Sequence, residues 1–99
     1  MGENVDTREL EIKILRAKAD KLAKNVSELA KKIQAKEISI NEAITELEKY
    51  RKELVDCVTL QLGTPIIGPL VAIPTIKIIS QVDELITNFE LMNAFGMGL

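Results

Sequence analysis

The chain has 99 residues, 46% hydrophobic and 28% charged, with a formal net charge of −2. That composition describes one small domain with enough apolar surface for a core, and it excludes both a two-domain protein and a disordered chain of low hydrophobicity. With no histidine, no tryptophan and one cysteine, the commonest general base, the commonest metal ligand and any disulfide framework within one chain are missing.

The first element is signalled by Asp6 and Glu9, which have the spacing of a capping box, with Val5 and Leu10 placed as its hydrophobic staple. Ile12, Leu15, Ala19, Leu22, Val26, Leu29 and Ile33 then recur at alternating steps of three and four. This heptad seam predicts an amphipathic helix over 7–36. Ala23 and Ala30 flank the seam and widen it, so the face is expected to meet more than one neighbour, and their small side chains allow a partner helix to come close. Between Arg8 and Lys36 nine basic residues stand against four acidic ones, while the rest of the chain sums to −7. Adjacent helices of opposite sign are expected to face each other.

Ser39, Ile40, Asn41 and Glu42 form a second capping box, with Ile38 and Ala43 as staple, and predict a helix over 39–62. Its apolar face carries Ile40, Ala43, Ile44, Leu47, Tyr50, Leu54, Cys57 and Val58, and Gly63 followed by Pro65 supplies the stop. So short a link after Lys36 forces an antiparallel hairpin.

The residues that follow change character. Thr64 to Pro74 carries no charge and three prolines, which predicts a kinked apolar connector over 63–73. Pro74 then suits the first turn of a third helix over 74–95, with Ile76, Ile79, Val82, Ile86, Phe89, Met92 and Phe95 along one face.

Candidate chemistry is sparse. Cys57 has no histidine to act as its base and lies on an apolar face, which suits a small buried hydrophobe; a disulfide to a second copy is the alternative if that face lies at a dimer axis. Of the paired carboxylates only Glu42 and Glu46 share a helix face, and surface charge explains them. No metal, cofactor or catalytic residue is expected. Lys18, Lys21, Lys24, Lys31 and Lys32 are the candidates for a nucleic-acid surface, although no aromatic residue lies among them. Cys57 to Ile76 is a run of 20 uncharged residues, the length of a membrane span, but its prolines and glycines argue for a buried core or interface segment. Met1 to Asp6 has no basic start followed by an apolar core, so the expected compartment is cytosolic.

A thin three-helix monomer cannot hide this much apolar surface, and a second copy is the simplest cover. The expectation is therefore an all-α fold: a long antiparallel hairpin, a proline-broken connector and a third helix, completed by oligomerisation into a helical bundle. The expected function is that of a non-enzymatic, self-associating structural or protein-interaction module. Its interface is expected to use Ile66, Ile67, Leu70, Val71, Ile73, Phe89, Met92 and Phe95. A membrane-associated protein using residues 57–79 and a nucleic-acid-binding module using the basic face of helix one are the alternatives.

Overall fold

The computed structural model describes residues 2–64 and 67–96, with side chains from Leu10 onward. Three α-helices follow one another, α1 over Gly2–Gln34, α2 over Ile40–Leu62 and α3 over Gly68–Ala94. The chain is an elongated all-α bundle of 59 × 20 × 15 Å. α2 packs most extensively against α3, less against α1, and α1 touches α3 least.

α1 begins at Gly2, ahead of the start expected at Asp6, because nothing between Gly2 and Asp6 interrupts a helix. The expected Asp6–Glu9 cap and its staple involve side chains outside the described residues. The other end of α1 closes without glycine. Lys36 adopts a left-handed φ of 59°, Glu37 N–H donates to the Lys32 carbonyl at 2.9 Å and Lys36 N–H to that of Ile33 at 3.0 Å. These crossed bonds satisfy carbonyls that the helix end would leave unpaired.

The start of α2 agrees with its sequence signal. Ser39 is extended (φ −78°, ψ 163°) and its Oγ accepts the Glu42 backbone N–H at 3.1 Å. Ile38, just outside, packs partly buried against the core.

The third helix departs from expectation. It starts at Gly68, six residues before Pro74, and the expected connector shrinks to the residues between Leu62 and Gly68. Pro69 stands at the first turn, where its missing N–H would have had no partner. Pro74 lies inside the helix and removes one bond, to the Leu70 carbonyl. Both residues are exposed, so that carbonyl can turn to water. The middle of the expected face is kept, with Ile79 and Phe89 packed against the core beside Val82 and Ile86, and its two ends are not. Ala72, Thr75, Val82 and Ile86 are buried, whereas Ile76 and Phe95 of the expected face are 43% and 73% exposed.

The core is a single cluster of Ala19, Leu22, Val26, Leu29 and Ile33 from α1, Ala43, Leu47 and Leu54 from α2, and Val82 and Ile86 from α3. Ile12 and Leu15 continue the α1 seam yet are only half-buried. The reason is length: Glu11, Ile14 and Leu15 line a shallow cleft with Leu60 and Thr64 at the end of α2, and α1 runs on beyond them for roughly two and a half turns.

Candidate interaction surface

Antiparallel packing brings the N-terminal part of α1, the C-terminal end of α2 and the first turns of α3 to one end of the bundle. The residues there are apolar and uncovered. Leu10 and Ile14 of α1 are each 57% exposed, Leu60 and Leu62 of α2 are 62% and 50%, and Leu70 of α3 is 69%. Ile67, Ile73 and Ile76 add to the same end at over 40%. The sequence from Cys57 to Ile76 carries no charged residue, and the charges beside this end come from Glu11, Arg16 and Asp20 of α1. Isolated exposed apolar side chains are ordinary, whereas a contiguous group marks a surface that something covers.

The expected interface set divides between two places. Ile67, Leu70 and Ile73 lie exposed at this apolar end, with Val71 half-buried beside them. Phe89 and Met92 are half-buried and Phe95 is exposed at the other end of α3, about 35 Å from Leu70 at 1.5 Å per residue. Ile66 lies outside the described residues. The seven described residues of the set thus do not make one patch.

A groove runs between α1 and α3. Its larger part has a volume of about 390 Å³ and is floored by Ala23, Val26, Ser27 and Ala30 of α1 and by Ile78, Val82 and Leu85 of α3. It continues toward the apolar end through Arg16, Ala19 and Asp20 on one side and Leu70, Val71 and Pro74 on the other, with Ile78 shared between the two parts. The groove exists because α1 offers small side chains where a closely packed neighbour would need large ones.

The charges do not pair as expected between α1 and α2. Among the described residues the one ion pair joins Arg51 of α2 to Asp83 of α3, and the Asn93 amide of α3 donates to Asn41 Oδ1 of α2. Lys18, Lys21, Lys24, Lys31 and Lys32 are all exposed and spread around the outside of α1, because its inward positions are taken by the apolar seam. No stripe of lysines with stacking groups results.

Cys57 is 1% exposed and free. Burial pushes its thiol above the ordinary range, partly offset by the nearby Lys18 ammonium, and its place is that of the small buried hydrophobe the sequence suggests. One turn further on, Gln61 is equally buried, and neither its Oε1 nor its Nε2 has a hydrogen-bond partner among the described residues. Among the described residues no three of His, Cys, Asp and Glu cluster as metal ligands would, and no described helix is long and apolar enough to cross a membrane.

At a significant level, no protein-family model, curated protein or solved structure matches this chain. The fold and surface define a class only: a three-helix bundle with an apolar end and an open interhelical groove.

Proposed function

We propose that this chain is a non-enzymatic, self-associating helical module, working in the cytosol as a structural or protein-interaction component. The observation that carries the reading is the uncovered apolar end, where eight large aliphatic side chains from all three helices are more than 40% exposed. Association of copies removes that surface from water at about 25 cal/mol per Å² of apolar area. A helical bundle completed by further helices is the assembly such a surface favours. The absence of histidine from the sequence fits a role without acid–base chemistry.

The test is light scattering on a size-exclusion column, with protein purified without detergent. A defined multiple of the 11.0 kDa chain mass is expected for the native protein, and a lower mass with unchanged helical circular dichroism for Leu70→Asp. Leu70 is so exposed that the substitution costs the single chain little. A native protein that stays at the single-chain mass up to high concentration would overturn the proposal.

The same apolar end supports a second reading, contact with a lipid surface, since its first charged residue after Cys57 is Lys77. Flotation with neutral lipid vesicles separates the two: a lipid-seeking end carries the protein to the top of the gradient, and a protein-seeking end leaves it below.

A further inference from the structure

We propose that the partner of the apolar end is the same end of a second copy, and that the two copies form a closed, antiparallel dimer about a twofold axis. This rests on the self-association proposed above and adds which surface the second copy presents, how many copies join and why the assembly closes.

The eight large aliphatic side chains of this end together expose as much surface as about four fully exposed leucines, roughly 700 Å² per copy. A stable specific dimer buries about 800 Å² on each partner. One such end is therefore a surface of the right size for another. The two ends of the bundle are also unequal. Among the described residues α1 exposes no large hydrophobic side chain after Ile14, and the opposite end offers only Leu91 and Phe95, at 49% and 73%. A head-to-tail contact would set the surface of about four side chains against that of little more than one, and leave most of it in water. Only the apolar end matches itself in extent. A surface that pairs with itself makes an isologous contact, which closes at two copies and does not extend into a filament.

The charges near this end lie where the rim of such a contact would be. Glu11, Arg16 and Asp20 all stand on α1, so the parts supplied by α2 and α3 form an uncharged centre, as specific interfaces have. Counted inward from this end, the first charged residue of α2 is Asp56 and that of α3 is Lys77, about two turns from Leu62 and Gly68. Because α1 runs on past the ends of its neighbours, two copies cannot abut tip to tip and must overlap side by side. An antiparallel overlap of about two turns brings Ile73 and Ile76 into the contact. It stops before Asp56 and Lys77 would lose their water, which no partner charge would repay.

Energy transfer between singly labelled copies of the full chain, with sedimentation equilibrium, tests the arrangement. Lys77→Cys and Glu37→Cys place a dye at exposed positions, one at the inner edge of the apolar end and one at the far end of the bundle, while the buried Cys57 stays unlabelled. Donor and acceptor copies of Lys77→Cys should show efficient transfer, and a Lys77→Cys donor with a Glu37→Cys acceptor should show little. The native mass should level off at twice that of the chain as concentration rises. Leu70→Asp, which enters a twofold contact twice, should weaken dimerisation at least about hundredfold, and Phe95→Asp should leave it unchanged. A native protein of single-chain mass would overturn this inference together with the reading it rests on. A mass that keeps growing beyond the dimer, or transfer between positions 77 and 37 in place of 77 and 77, would overturn the closed twofold contact alone and leave self-association standing.

Discussion

Gly68 lies against the backbone of Gln61: a Cβ built on Gly68 would sit 2.6 Å from the Gln61 carbonyl oxygen and 3.1 Å from that of Leu62. The start of α3 is thus pressed onto the end of α2, closer than any side chain allows. The need for glycine here is steric and not one of backbone angle.

Gly68→Ala sets two effects against each other. Alanine is favoured in a helix by about 1 kcal/mol, but the atom it would strike is backbone, and overpacking costs about 1–3 kcal/mol. The clash should win, because the atom struck cannot move aside, with a net loss of up to about 2 kcal/mol, read as a fall in the chemical denaturation midpoint. An unchanged or raised midpoint would show that the two helices can separate freely at this joint.

Gln61 is buried with no partner for its amide among the described residues, and an unsatisfied buried polar group costs about 1–3 kcal/mol. Gln61→Leu replaces it by an apolar group of similar size and should raise stability by about 1–2 kcal/mol, or several degrees in thermal midpoint for a chain of this length. A loss of stability would mean that the amide makes a hydrogen bond in solution.

Two substitutions in the α1–α2 turn should move stability in opposite directions. Lys36 holds a left-handed φ of 59°, which costs a side-chain-bearing residue about 1–2 kcal/mol, so Lys36→Gly should stabilise by about 0.5–1 kcal/mol after the glycine's extra chain entropy. Ser39→Ala removes the acceptor of the Glu42 N–H and should cost about 1 kcal/mol. Denaturant titration of both variants checks the pair.

Alkaline pH should destabilise the fold through two groups. Burial, with Asp56 and Glu53 nearby, raises the Cys57 pKa; burial, followed by the charges of Glu46 and Glu53, raises that of Tyr50. In each case the unfolded chain gives up its proton at a lower pH than the folded one. Above the ordinary thiol value of about 8.5 the folded state therefore holds more protons, and stability falls as pH rises. The thermal midpoint should decline from about pH 8.5 upward, less steeply in Cys57→Ala. A thiol reagent should react with Cys57 only at the rate of unfolding.

Much of the helical layout is legible in the chain. The step-three, step-four seam of Ala19, Leu22, Val26, Leu29 and Ile33 and the Ser39 cap depend on residues a few positions apart, so local periodicity and capping chemistry identify them. The apolar character of Ile67, Leu70 and Ile73 is equally plain. The end of α1 carries no such signal, because it closes on a lysine and not on the glycine that usually marks such an end.

What only the tertiary structure decided depends on contacts between segments. Three prolines suggest a broken connector between Thr64 and Pro74, yet the docking of Gly68 on the Gln61 carbonyl starts α3 early, and water at the exposed Leu70–Pro74 side tolerates the lost bond. That earlier start adds Ala72 and Thr75 to the buried side of α3, while Ile76 lies outside. Ala23 and Ala30 are visible as a widened face, but whether that face is filled or open depends on how far α3 stands from α1. Sequence periodicity identifies the faces that can be buried; the packing of distant segments decides which of them are covered, because close approach is a property of pairs of helices and not of either one.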